Sequence, residues 1–190
     1  MSALTIDQLT ALLAAYTHET GVPVDLLLVG GLALQAYGYT DRATQDVDGE
    51  VAGDPEHLSA FLRRHHVPAD LGENLSSWSV IAMPPGYRDR AVVHHTRPGL
   101  RLRLLHPTDF VIAKLRRGTE LDLDDAEYVA RRFHVTSDTV RQAAEAALAV
   151  SPKDTVLFLF RITVQVFCAR LSNAGTPPLE KGAGGFLRNT

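Results

Sequence analysis

The chain has 190 residues, of which 45% are hydrophobic and 22% are charged, and its formal net charge is −3. These values resemble those of an average globular protein and exclude a wholly disordered chain, a collagen and a disulfide-rich scaffold. No stretch reaches about 18 uninterrupted apolar residues, and no basic segment with an apolar core opens the sequence. We therefore expect neither a membrane span nor a secretory signal. A single cysteine, Cys168, cannot form an internal disulfide and favours a reducing, cytoplasmic compartment.

The charge is unevenly distributed along the chain. Arginine supplies 16 of the 19 basic residues, and nine of these arginines lie between Arg88 and Arg132. Together with Lys114 they oppose seven acidic residues, which leaves a local net charge of +3. Arginine can bind phosphate oxygens in pairs, which lysine cannot do. This region indicates either a surface for phosphate-bearing ligands or simply the arginine preference of a GC-rich genome.

Hydrophobic periodicity and turn residues predict an alternation of helices and strands. In chain order these are a helix (6–17), a strand (24–29), a short helix (32–37), a strand (46–51), a helix (54–65), three strands (78–83, 91–96 and 100–105), three helices (107–117, 122–133 and 136–150) and a last helix after Pro152. The pattern predicts an α+β fold, with a small mixed β-sheet and a C-terminal helical extension. We expect a core over residues 1–105, a helical extension packed on it over 106–172, and a disordered tail over 173–190.

The segment 28–50 combines three features. A buried strand ends in Gly30 and Gly31 and leads directly into a helix. At such a junction a phosphate can approach the backbone N–H groups, because no Cβ intrudes. Asp46 and Asp48 follow on the next strand, where residues i and i+2 share a face. Two neighbouring carboxylates repel each other unless they are solvated or a divalent cation neutralises them.

Arg42 and Thr44 precede the acidic pair and could contact phosphate or hold the loop. Each feature alone has an ordinary explanation, since Gly-Gly often forms a turn and Asp-x-Asp often lies at a solvated strand edge. Their combination in one segment is much harder to obtain by chance. It predicts a Mg²⁺ site in which one or two carboxylates act together with substrate phosphates.

At these residues the sequence resembles the nucleotidyltransferase superfamily, with its DNA polymerase beta-like minimal fold. The nearest likeness is to bacterial nucleotidyltransferase-like proteins related to AbiEii-type toxins. These proteins carry a later Pro-x-Asp-Leu…Lys-Leu…Asp-x-x-Asp segment. Here it reads Pro107-Thr108-Asp109-Phe110, then Lys114-Leu115, then Asp122-Leu123-Asp124-Asp125. The resemblance covers roughly residues 26–133 and implies a sheet of the nucleotidyltransferase type.

The resemblance implies that the protein transfers a nucleoside monophosphate from an NTP to an acceptor, with release of pyrophosphate. It places Asp46 and Asp48 as Mg²⁺ ligands and catalytic residues. It also places Gly30 and Gly31 at the triphosphate, beside Arg42 and Thr44, which are further nucleotide-binding candidates. Lys114 lies near the nucleotide, with Asp122 or Asp125 supporting it or the acceptor. For Lys114 and the acidic group an ordinary surface helix with an acidic first turn is the alternative.

The acceptor implied by the resemblance is an RNA, such as tRNA, or a protein. The protein would act as the toxin of a toxin–antitoxin pair, with an antitoxin protein as its partner. The local arginine excess mildly favours a nucleic acid.

One feature departs from the superfamily pattern, in which a third carboxylate lies on a later strand. On the predicted strand 100–105 the outward positions are Arg101 and Arg103. Glu50 or Asp89 could replace the missing acid. Without one, the alternatives are a degenerate fold that binds nucleotide or a partner without turnover, or a metal-dependent phosphohydrolase.

Overall fold

The computed structural model describes residues 3–39 and 43–173. The helices are α1 (Ile6–Thr20), α2 (Gly30–Ala36), α3 (Pro55–Arg64), α4 (Tyr87–Arg90), α5 (Pro107–Leu115), α6 (Glu120–Arg132), α7 (Ser137–Ala149) and α8 (Val156–Asn173). The strands are β1 (Val24–Leu28), β2 (Val47–Ala52), β3 (Ala69–Gly72), β4 (Val92–Arg97) and β5 (Leu100–Leu104). A 3-10 turn spans Leu75–Trp78.

The five strands form one mixed sheet in the order β3-β2-β1-β5-β4. β1 is antiparallel to β2 and parallel to β5, and β3 pairs in parallel with β2. The central strand β1 is almost wholly apolar, as expected for a strand that is buried on both faces. The α+β fold class and the small mixed sheet are therefore confirmed.

Two hydrophobic clusters divide the interior. The first joins the sheet to α1, α2 and α3, and the second joins the helices α5 to α8. Helix α5 belongs to both, because Phe110 packs in the first cluster while Val111 and Ile112 pack in the second. The boundary predicted at residues 105/106 lies just before this shared helix, so α5 attaches the helical extension to the sheet.

The strand predicted over residues 78–83 is wrong. Backbone groups there bond to side chains instead of a neighbouring strand: Ala82 donates to Ser151 Oγ (2.9 Å), and the carbonyl of Ile81 accepts from Arg116 Nε (2.7 Å). The sheet instead gains β3, whose four residues follow Pro68 and pair with β2. A strand this short carries little periodicity, so it depends on the partner strand.

Helix α8 carries apolar side chains on its exposed side as well as on its buried side. Its buried side chains are Phe160, Val164, Phe167 and Cys168, whereas Phe158, Leu159, Ile162 and Val166 are exposed. Within the described residues it is the one helix that is long and apolar enough to span a membrane by length and composition. Core helices of other proteins meet the same two criteria. The predicted disordered tail lies outside the described residues, apart from Asn173, which ends α8.

Candidate functional site

A cleft of about 400 Å³ lies at the carboxyl end of β1, between the sheet and the helices α5 and α6. This volume falls within the range of small-ligand sites, about 300–1,000 Å³. Its charged lining consists of Asp48, Asp70, Lys114, Arg116, Arg117 and Asp122. A larger depression, about 650 Å³, lies near the opposite end of β1, and neither Asp nor Glu is among its lining residues. The charged cleft is therefore the candidate site.

The two predicted glycines hold one wall of the cleft together. Gly30 has φ +64, and a Cβ there would lie 1.9 Å from Asp48 Oδ2. A Cβ on Gly31 would lie 2.6 Å from Thr44 Oγ1. Glycine is thus required at both positions so that the start of α2 can pack directly against the segment that carries the acidic pair. Arg42, predicted to contact the nucleotide, lies outside the described residues.

The predicted acidic pair lies at the start of β2, with Asp46 one residue before the strand and Asp48 within it. Asp46 is exposed, and its Oδ1 accepts a hydrogen bond from Thr44 Oγ1 (2.7 Å). Asp48 is partly buried beside Gly30. Burial, together with the charges of Asp46 and Asp70, raises the pKa of Asp48 to about 6, although Lys114 and Arg117 act in the opposite direction. The two cations therefore do not offset the combined effect of burial and the neighbouring carboxylates on Asp48.

Asp70 is the acidic residue that sequence reasoning missed. It lies on β3 directly opposite Asp48 in the parallel β2–β3 pairing, and it is exposed in the cleft. The signal in the sequence is slight: one acid between Ala69 and Leu71, bounded by Pro68 and Gly72.

The two residues considered as replacements for a third acid lie elsewhere. Glu50 is buried and accepts a hydrogen bond from Leu75 N (2.8 Å) as well as bonds from Tyr87 and Arg88. It therefore holds the segment after β3. Asp89 lies on α4 and is exposed away from the cleft lining.

Lys114 forms the opposite wall together with the two acids predicted to support it. Its Nζ lies 2.7 Å from Asp125 Oδ2 and 3.4 Å from Asp122 Oδ1, and all three residues are buried. Asp122 also accepts two hydrogen bonds from Arg117, each 3.1 Å, and one from Thr119 Oγ1 (2.7 Å). The arrangement is thus a buried ion network and more than an acidic first turn.

The Arg117 side chain is 72% exposed and lines the cleft beside Lys114. It is a second cationic candidate that sequence reasoning did not single out. An exposed guanidinium at this position could bind phosphate oxygens in pairs.

The carboxylates suit a hard divalent cation in donor type and in charge. Mg²⁺ prefers oxygen ligands and is usually bound by one or two carboxylates together with substrate phosphates. Burial and the charges of Asp46 and Asp70 all raise the pKa of Asp48, and a bound cation would oppose this shift by stabilising the carboxylate. Among the described residues, no group of three or more His, Cys, Asp or Glu side chains is arranged to hold a metal ion. A cation bound here would need further ligands from outside these side chains.

Comparison with known families adds to this geometry. Residues 4–159 match a family described as nucleotidyltransferases of unknown function (DUF6036). The chain belongs to this nucleotidyltransferase family. A search of curated proteins found no match. The predicted superfamily is thereby confirmed, whereas the nearer likeness to AbiEii-type toxins stays a prediction.

Most arginines in the basic region of this nucleotidyltransferase are already paired within the chain. Arg90 forks Asp109 (3.0 and 2.9 Å), Arg103 binds Asp25 (2.7 Å), and Arg116 binds backbone carbonyls. Arg90 and Asp109 connect α4 to the start of α5. The local arginine excess is consequently in large part structural, which weakens it as an argument for a nucleic-acid surface.

Replacing Asp70 with asparagine is expected to lower the pKa of Asp48 from about 6, because Asp70 is one of the charges that raise it. Carboxyl-carbon NMR of Asp48 across pH 3–8 measures this directly. Asp138→Asn, on the exposed surface of α7, is the matched control and should leave the titration unchanged. An unchanged pKa in the Asp70 variant would show that the two carboxylates do not interact.

Proposed function

We propose that this protein is a Mg²⁺-dependent nucleotidyltransferase that transfers a nucleoside monophosphate from an NTP to an RNA or protein acceptor. The observation that carries the proposal is the pairing of Asp48 with Asp70 beside Asp46, in a cleft whose other wall bears Lys114 and Arg117. Acidic and cationic walls on one cleft match a substrate that is a metal-bound polyphosphate.

In the proposed reaction an acceptor hydroxyl oxygen forms a bond to the α-phosphorus of the NTP. The bond between the α-phosphorus and the bridging oxygen to the β-phosphate breaks, and pyrophosphate leaves with the electron pair. The acceptor proton passes to an exposed carboxylate, for which Asp70 is the best placed, and then to solvent. Bound Mg²⁺ would neutralise charge on the phosphate oxygens.

Each wall of the cleft has a separate part in this reaction. Asp46 and Asp48 would hold the cation, and Gly30 keeps the backbone close to Asp48 without a side chain between them. Arg117 would bind the outer phosphates, where charge develops on the leaving group. Lys114 would act on the same charge from a position that is fixed by Asp122 and Asp125.

Incubation of the protein with α-labelled NTPs, Mg²⁺ and total RNA or protein tests the proposal. We expect label in a macromolecule, dependent on Mg²⁺ and lost in the Asp46→Ala/Asp48→Ala double variant. Digestion with ribonuclease or protease identifies the acceptor class. Labelling that persists in the double variant would contradict the assignment of the site.

A second candidate is a nucleotide- or partner-binding module without turnover. Two observations favour it: the described acids form no completed metal cluster, and Lys114 is already paired with Asp125 and Asp122. Calorimetry would then detect binding of Mg²⁺-NTP without release of pyrophosphate. Steady pyrophosphate release that depends on Asp48 would exclude this candidate.

The toxin role is a further part of the proposal, with a cytoplasmic location and an antitoxin protein as partner. Transfer to tRNA would stop translation, so expression of the wild-type chain in a bacterial host should arrest growth. The Asp46→Ala/Asp48→Ala variant, expressed to the same level, should permit growth. Arrest by both chains would separate toxicity from the proposed transfer.

A further inference from the structure

Trp78, the single tryptophan of the chain, lines the cleft at the end of the 3-10 turn and is 39% exposed. Its indole lies against β3: a Cβ on Gly72 would lie 2.7 Å from the indole Nε1. Gly72 therefore leaves the space in which the ring rests, two residues beyond Asp70. A large aromatic ring thus stays partly open to the cleft, next to the acidic wall.

The buried Glu50 and the half-buried Arg116 fix the segment that carries Trp78. From β2, Glu50 accepts a hydrogen bond from Leu75 N (2.8 Å). From α5, Arg116 donates to the carbonyls of Leu75 (2.8 Å) and Ile81 (2.7 Å). The backbone is held on both sides of Trp78 and the ring rests against Gly72, so both lose little conformational freedom when a ligand binds. A prearranged aromatic surface of this kind favours affinity.

We propose that Trp78 is the nucleobase platform of the cleft, on which the base of a nucleoside triphosphate stacks. This inference rests on the proposed function and deepens it. The cleft places a partly exposed aromatic ring next to walls that carry Asp48, Lys114 and Arg117, and a nucleoside triphosphate likewise joins an aromatic base to a charged polyphosphate. Stacking accepts every base, because each has a π-face. The platform therefore selects nucleotides against plain polyphosphates.

The single tryptophan makes the test direct, because the emission of the full-length chain reports on Trp78 alone. Mg²⁺-ATP and Mg²⁺-UTP should quench this emission, whereas Mg²⁺-tripolyphosphate should bind with little quenching. By calorimetry, Trp78→Ala should weaken NTP binding roughly 5- to 150-fold, the range for loss of one stacked base. Tripolyphosphate affinity should stay unchanged, and Trp78→Phe should restore most of the NTP affinity.

Val80→Ala is the matched control, since Val80 is also 39% exposed in the same segment but does not line the cleft. It should bind both ligands as the wild type does. Wild-type NTP affinity in Trp78→Ala would overturn the platform, as would equal losses of NTP and tripolyphosphate affinity. If the wild type bound neither ligand, the proposed function would fail and the platform with it.

Discussion

Replacing Asp122 with alanine is expected to lower the free energy of unfolding by about 3–5 kcal/mol, the cost of breaking a buried ion pair by removing one partner. Asp122 is 1% exposed and accepts hydrogen bonds from Lys114, Arg117 and Thr119. Its loss leaves the buried Lys114 with less compensation, removes support from Arg117, and frees the Thr119 hydroxyl. Urea denaturation at pH 7 measures the change.

The same contacts determine how the stabilising contribution of Asp122 changes with pH. Burial raises the pKa of Asp122, but hydrogen bonds from Thr119 and Arg117 and the charge of Lys114 outweigh burial and hold that pKa below its ordinary value. Its stabilising contribution is therefore complete above about pH 4 and is lost as the pH falls through the folded-state pKa. The difference in free energy of unfolding between the wild type and Asp122→Ala should accordingly become smaller at acidic pH.

Asp124→Ala is the matched control on the same helix. Asp124 is 56% exposed and pairs with Arg170 at the surface, where ion pairs contribute about 0–1 kcal/mol. If the two variants lost the same stability, the network around Lys114 would not be the anchor of the second wall.

Asp48→Asn is expected to abolish activity and to stabilise the protein. A lost metal ligand removes several kcal/mol of transition-state stabilisation, which corresponds to a fall in rate on the order of 10³-fold. At sub-saturating Mg²⁺, wild-type activity should rise with pH through about pH 6, because Asp48 of the metal-free protein must lose its proton before it can bind a cation. Pyrophosphate release measured from pH 5 to pH 8 checks both expectations.

The stability gain of the same variant depends on pH in a defined window. Because the pKa of Asp48 is raised to about 6, the folded state binds more protons than the unfolded state between about pH 4 and that value. Wild-type stability therefore falls as pH rises through this window. The Asp48→Asn variant does not lose stability in this window. Its free energy of unfolding should therefore exceed that of the wild type by nearly zero at pH 4 and by about 1–2 kcal/mol at pH 7, allowing for solvent screening.

Thermal unfolding without Mg²⁺ measures the expected increase in stability of Asp48→Asn. The exposed control, Asp138→Asn, should show no such increase. A variant less stable than wild type at pH 7 would mean that Asp48 has a structural partner. Lower stability in exchange for a charged site is a common feature of functional residues.

The parts of the site that local sequence rules control could be predicted. Asp48 lies in β2, and Asp46 lies one residue before that strand, two positions from Asp48 as strand alternation requires for a shared face. Gly30 has a positive φ at the start of α2. Lys114 lies near the end of α5, which Gly118 follows, and Asp122 lies in the first turn of α6, which Thr119 caps.

The remaining parts depend on contacts between distant segments. Asp70 faces Asp48 only through the pairing of β3 with β2, and four residues carry too little pattern to reveal that pairing. Trp78 lies in the cleft because Glu50 and Arg116, which belong to distant parts of the sequence, bind the nearby backbone of Leu75. The partners of the arginines are likewise set by tertiary structure, so a count of charges overstated their availability.

The most direct test of the proposed transfer follows the α- and γ-phosphates of the NTP separately. The protein is incubated with Mg²⁺, RNA and an NTP labelled separately at the α- and γ-phosphates, and the wild type is compared with Asp48→Asn. We expect the α-label to enter the acceptor while an equal amount of γ-label appears as pyrophosphate. In Asp48→Asn, label transfer and pyrophosphate release should be lost together. Release of α-label as free nucleoside monophosphate, or transfer unaffected by Asp48→Asn, would contradict the proposed transfer.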